Sequence, residues 1–365
     1  MATAKSTRFG VIAAVLLAVP FARAYAGQQT DAYARELLFR ALDFGKTVTL
    51  EGIVMRRSGW REHGMMQLKV AQKGGNVMST VLSPLPAQGV TKLDDGRTWV
   101  TYIPDESRML IQPSPRYSVG LAMRKGAAAQ NYRFVAEKSD MIAGRRSIAI
   151  IATPRSGDMP VRRFWVDSEF PYMLRMDTIN EGQSVMELDT KAIKFNAVLD
   201  DETFHLSPVG EVRKIYLDPP TRFRDPDKVK DELRFSPAMP IGLPYGFVIQ
   251  EPQLVGDRNE RFVAIRLTDG LASATLYQWK KDMHNPVPCN DRKTVRESNG
   301  IKMRLVGDLP EVVLIKLLDA FVKEALKGLQ ALLGTSFDDS AFLPLQQAGA
   351  TSSEPNSGVW IVVRS

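Results

Sequence analysis

The sequence predicts a mostly β, α+β protein of two domains. The first is a strongly curved antiparallel sheet, or half-barrel, with covering helices, and the second is a smaller α+β domain. Three observations predict this. Short apolar runs of period two recur between Gly, Pro and Asp-Gly turns; helix-period segments stand at both ends of that pattern; and a proline-rich stretch divides it.

The elements follow in order. Lys5 and Arg8 precede an apolar run from Phe9 to Val19, then Pro20 and small residues up to Ala26. A membrane span needs about 20 apolar residues, and this run is shorter, so residues 1–26 read as a signal peptide cleaved near Tyr25 or Gly27. The first domain is expected over 27–210. It opens with an amphipathic helix over 30–45, with Tyr33, Leu37, Ala41 and Phe44 on one face and Gly45 to end it. About ten strands follow, from TVTLEGIVMRR to DDETFHLSP, interrupted by a short helix in SVGLAMRKGAAAQNYRFV. Asp95-Gly96 is a hairpin turn, because glycine tolerates the positive φ of a tight connection.

From 211 to 238 prolines alternate with charges, a density that strands tolerate poorly, so a linker is expected. The second domain is placed at 239–333. It carries the strands YGFVIQEPQLV, RFVAIRLTDG, ASATLYQWK and IKMRLVG, then a helix with an apolar stripe from Leu314 to Leu329. Residues 334–365 are rich in Ser, Ala and Gln and read as a disordered tail.

Composition limits the chemistry. With Lys5, Arg8 and Arg23 removed at cleavage, 45 basic side chains face 41 acidic ones, a balance too mild for a nucleic-acid partner. Cys289 is a single cysteine, so no internal disulfide forms, and export without disulfides suits a bacterial periplasm. His63, His205 and His284 lie far apart, without metal-ligand spacing, and no phosphate loop or nucleophile elbow occurs. No metal, cofactor, catalytic residue or enzymatic activity is therefore expected. Apolar sheet surface is what remains. Methionines crowd the first domain beside aromatic strands, and Met adapts to irregular apolar ligands. Met66, Trp99, Tyr102, Trp165 and Met176 are the candidate lining of a hydrophobic cavity.

The stretch RLTDGLASATLYQ, between LPYGFVIQ and IKMRLVGDLPEVVLIKLLDAF, resembles the C-terminal domain of the MucB/RseB family. RRFWVDSEFPYMLRMDTINEGQSVME, with its Trp-x-Asp, Pro-containing turn and Asn-Glu-Gly, resembles the LolA/LolB lipoprotein-carrier fold. Together the resemblances cover about residues 30–330. They imply a periplasmic negative regulator of an envelope-stress sigma factor. Its partner would be the periplasmic domain of a membrane-anchored anti-sigma factor, and an acyl lipid or lipoprotein would be its signal. Arg258 and Arg261, exposed charges of the second domain, are the candidate partner contacts. A LolA-type carrier of lipid or lipoprotein, with no anti-sigma partner, is the alternative, and a hydrolase with an unrecognised site is the third reading.

Overall fold

The computed structural model describes residues 31–43, 48–57, 64–114, 120–208, 210–217, 219–250, 252–256, 260–286 and 294–333. The expectations for the signal segment, the tail, His63, Cys289 and Arg258 lie outside these residues.

Helix α1 covers 31–43. Its buried stripe is Ala34 and Leu38, flanked by Leu37, Ala41 and Leu42, so the core face is turned by about a residue from the expected one. Tyr33 is left 55% exposed. Leucines at 37, 38 and 42 and alanines at 34 and 41 make the wider apolar surface, and burial follows that surface. Asp31 Oδ1 accepts the backbone N–H of Phe134 at 2.6 Å, pinning the start of α1 to the sheet below it.

Twelve strands form one open sheet. Six come before a crossing helix: β1 (Leu50–Arg57), β2 (Met65–Lys73), β3 (Asn76–Ser83), β4 (Thr91–Asp94), β5 (Thr98–Ile103) and β6 (Arg108–Pro113). Helix α2 (Leu121–Asn131) then leads to β7 (Tyr132–Ile142), β8 (Arg145–Pro154), β9 (Val161–Asp167), β10 (Met173–Asn180) and β11 (Gln183–Phe195). A short β12 (Arg213–Tyr216) completes the sheet. The order is β12-β6-β5-β4-β3-β2-β1-β11-β10-β9-β8-β7, two meanders joined where β1 meets β11. Every pairing is antiparallel except β12 with β6. Register shifts mark bulges in β3, β7, β10 and β11, which bend strands and increase twist, so the sheet curves without closing. The Asp95-Gly96 turn is as expected. Gly96 has φ +85°, and Asp95 Oδ1 accepts the N–H groups of Arg97 and Thr98 at 2.7 and 2.6 Å.

The second sheet contains β13 (Thr221–Arg222), β14 (Val248–Ile249), β15 (Gln253–Val255), β16 (Phe262–Thr268), β17 (Ser273–Lys280), β18 (Val295–Ser298) and β19 (Ile301–Gly307). Helices α3 (Lys230–Leu233) and α4 (Glu311–Leu333) accompany it. The stripe of α4, from Val313 to Ala325, packs on Val263, Ile265, Leu267, Leu276 and Met303 as one core. Alternation in β16 and β17 turns every second residue into that core and leaves the others to the opposite face.

The proline-rich stretch is divided between the two sheets. β12 extends the first, β13 pairs with β15 of the second, and Phe223, Val229 and Leu233 are buried in the second core.

Candidate functional site

Register assigns each side chain of the first sheet to a face, because directly paired residues point the same way and neighbours in a strand point oppositely. One row runs through Ala136, Ile150, Phe164, Met176, Leu188, Arg56 and Met66. Its first half lies under helix: Ala34, Leu38 and Ala128 pack on Phe134, Ile150, Phe164 and Val166, with Met176 at the margin. Its second half leaves the helices, and that core contains no residue of β1 to β6. The same face continues through Leu68, Val81, Ser79, Lys92, Thr101 and Trp99. Met66, Leu68 and Trp99 are half-buried there, while Val54, Val81 and Ile103 are buried.

Three of the five cavity candidates, Met66, Trp99 and Met176, therefore share the helix-bearing face. Tyr102 and Trp165 stand on the other one, since Thr101 and Phe164 precede them on the first. Trp165 is buried among Ile142, Ala149 and Leu174 and is flanked by guanidinium groups, Arg163 at 4.9 Å and Arg175 at 4.8 Å from its ring centroid. Met176 is half-buried against the margin of the helix-covered core, so the open surface centres on Met66 and Trp99.

Two cations sit on this open half; the sequence makes neither a site candidate, and the Arg56-Arg57 pair reads there as a solvated strand edge. Arg56 is solvent-accessible, and Lys92 Nζ lies 5.9 Å from the Trp99 ring centroid. Partial desolvation by the surrounding curved sheet lowers the pKa of Arg56, opposed by the field of Glu187. Lys92 is lowered by burial and then by the charge of Arg56, which places the two cations within each other's field. Glu187, in the bulge of β11, is raised by burial and by Asp308.

The Trp-x-Asp motif has a structural role on the opposite face. Asp167 is buried; it accepts Arg145 Nε at 2.7 Å, Arg145 Nη2 at 3.0 Å, and the N–H groups of Glu169 and Phe170 at 2.9 and 3.0 Å. Burial alone would raise its pKa, but Arg145 and the two backbone donors together hold it below the ordinary 3.8. A depressed folded pKa contributes stability above the unfolded value and loses it as pH falls through the folded one. Asp167→Ala is expected to cost about 3–5 kcal/mol at pH 7, because Arg145 Nε and two N–H groups lose their acceptor and the guanidinium keeps only Glu169 as an ion-pair partner. The difference from wild type should shrink below about pH 4. Urea melts at pH 7 and pH 3 check this, and an equal difference at both would contradict it.

The two sheets meet at the Thr-Asp-Gly-Leu-Ala turn between β16 and β17. Asp269 Oδ1 accepts the N–H groups of Leu271 and Ala272 at 2.9 and 2.6 Å, and Oδ2 accepts the Tyr132 hydroxyl at 2.5 Å. Asn131 Nδ2 donates to the carbonyls of Gly246 and Asp269, each at 2.9 Å. Leu271 packs into the first sheet's core and Met159 into the second's. At the rim, Asp158 Oδ2 accepts Lys316 Nζ at 2.8 Å and the Tyr245 hydroxyl at 2.7 Å. A cleft of about 310 Å³ lies there, lined by Asn131, Tyr132, Arg155, Tyr245 and Asp269.

Of the partner candidates, Arg261 is ion-paired with Glu232 of α3, within the second domain. Among the described residues, no group of three or more His, Cys, Asp or Glu side chains could hold a metal ion, and no helix is long and apolar enough to cross a membrane.

No family model and no curated protein matches the chain. Solved structures do. MucB is 15% identical, matched over 79% of this chain and 97% of its own at a TM-score of 0.52. MucB in complex with MucA(peri) is 15% identical, over 78% and 97%, at 0.54. The Pseudomonas aeruginosa MucA/MucB complex is 14% identical, over 78% and 96%, at 0.53. The likeness spans both sheets, so the chain has the two-sheet fold of MucB.

Proposed function

We propose that the protein is a periplasmic binding protein that restrains an envelope-stress sigma factor by holding the periplasmic segment of a membrane-anchored anti-sigma factor. The supporting observation is the match over both sheets to a MucB structure that contains MucA(peri). The second domain, around Arg258 and Arg261, offers the partner contacts, and the apolar face around Met66 and Trp99 offers an acyl-chain site. The mechanism is shielding by equilibrium binding. A bound partner segment is inaccessible to protease, and an acyl ligand that prefers the partner-free form weakens partner binding by its own differential affinity.

The test uses the full mature chain and the periplasmic segment of the single-span anti-sigma protein encoded by the same organism. Titration calorimetry should give a dissociation constant of about 10 μM or tighter, and the complex should slow proteolysis of that segment. Arg261→Ala should weaken binding, less so at high salt, as expected of a charge at an interface rim. Absence of binding would overturn the regulator reading. Acyl lipid retained through purification would then favour a carrier, the reading that the uncovered sheet face supports by itself.

A further inference from the structure

We propose that the cleft between the two sheets binds a small molecule bearing an oxyanion, a phosphate or a carboxylate group, with Arg155 as its charged contact. The site is separate from the acyl face and from the anti-sigma contacts. Three observations carry it.

The first is the build of the site. A cleft of about 310 Å³ is at the small end of ligand pockets, so it suits a compact molecule. Its walls come from both domains: Asn131, Tyr132, Arg155 and Ser156 from the first, Tyr245 and Gly246 from the second. The walls are fixed before any ligand arrives. Asn131 Nδ2 donates to the carbonyl of Gly246, and the Arg155 backbone N–H donates to the carbonyl of Asn131 at 2.8 Å. Such preorganisation lowers the ordering cost of binding.

The second is charge. Arg162 donates to the Tyr132 oxygen, while that hydroxyl donates to Asp269. Arg162 is only 7% exposed, yet its Nε has no hydrogen-bond partner. Arg124 is on α2 where the Asp269 turn seats, its carbonyl oxygen 2.5 Å from the position of a Cβ at Gly270. Burial lowers the pKa of Arg124, and the charges of Arg266 and Arg162 lower it further against the pull of Asp269. The carboxylates at the cleft are already engaged. Asp158 is held by Lys316 and Tyr245, and both oxygens of Asp269 accept donors of the junction. Glu187, whose field also reaches Arg162, is raised towards its neutral form by burial and by Asp308. Partly buried cations in such excess cost solvation energy that a bound anion returns.

The third is availability. Arg155 is exposed, and its guanidinium has no hydrogen bond or ion pair among the described residues. It is free to close on an anion in the cleft, where charge-assisted hydrogen bonds are stronger than in water.

The experiment titrates the full mature chain with glycerol 3-phosphate, with succinate and with uncharged glycerol, at constant ionic strength in chloride. At least one of the anions should bind with a dissociation constant of about 1 mM or tighter, and the tighter of the two identifies the oxyanion. That anion should also raise the melting temperature, since it binds only the folded, seated arrangement. Glycerol should do neither. Arg155→Gln should weaken the anion at least about tenfold while leaving the melting curve of the free protein unchanged. Arg146→Gln, which removes the same charge from an exposed position of β8 outside the cleft, should bind as the wild type does. Absence of binding by both anions would overturn the proposal. So would equal binding of glycerol, which needs no cation, or equal weakening in the two variants, which would reflect net charge and not this cleft.

Discussion

Gly270→Ala is expected to unseat the second sheet from the first. Gly270 has φ +107°, a conformation that side chains with a Cβ rarely adopt. A Cβ built there would lie 2.2 Å from the backbone N of Ala128 and 2.5 Å from the backbone O of Arg124, both on α2. Backbone atoms in the middle of a helix cannot move aside as the end of a flexible side chain can. Strain at positive φ costs about 1–3 kcal/mol, and overpacking a close contact adds about as much. That sum is comparable with what a junction of a few hydrogen bonds, the half-buried Leu271 and the buried Met159 can supply, so separation of the sheets is the outcome to expect. Gly300→Ala is the control. Gly300 has φ +72° but open space around its Cβ position, so it bears the strain alone. In scattering, the Gly270 variant should show a larger radius of gyration, and its melt should split into two transitions. The Gly300 variant should keep one transition and the wild-type radius. Indistinguishable behaviour of the two would mean that the turn does not hold the junction.

That junction also marks how far the sequence could be read. LTDGLA was legible as a turn between strands, and Asp269 bonding to the N–H groups two and three residues on is what Asp-Gly predicts. Nothing local says that the turn seats against α2, since Asn131 and Tyr132 are about 140 residues distant and contact order leaves no local signature. The half-barrel face was partly legible. Trp99 and Tyr102 are three apart, and in an unbroken strand that parity alone separates their faces. Trp165 and Phe164 show the same limit differently: both are apolar, so the sequence does not say which one meets α1. Arg56 and Lys92 were missed because paired or alternating basic residues usually mean solvated edges. Only the register through five strands brings them to one apolar surface. The short strands β12, β13 and β18 were missed as well, because four residues such as RKIY or VRES, or only two, carry no period to count.

The second large effect is expected at Tyr132 and Asp269, the buried hydrogen bond across the junction. Asp269→Ala removes the acceptor of three donors, the Tyr132 hydroxyl and the N–H groups of Leu271 and Ala272, and should cost about 3–5 kcal/mol. Tyr132→Phe removes one donor from a carboxylate that keeps two others, and should cost about 1.5–3 kcal/mol. The double variant should cost less than the sum, with a coupling energy above about 1 kcal/mol, because both changes delete the same bond. Titration gives an independent readout. Burial first, and then the Asp269 charge, push the Tyr132 phenol well above its ordinary 10.0. A raised folded pKa gives stability that is complete below the unfolded value and declines as pH climbs past it, so wild-type stability should fall above about pH 10. Tyr172, pushed up to about 12 by burial, contributes to that decline in both proteins. The comparison with Tyr132→Phe removes this shared part, so the variant's stability should fall less steeply from pH 10 to 11. Equal slopes, or additive costs in the cycle, would show that the hydroxyl and the carboxylate act separately. The turn would then be held by Leu271 and the fit of Gly270 alone, and a charge change at the junction would have no means of uncoupling the sheets.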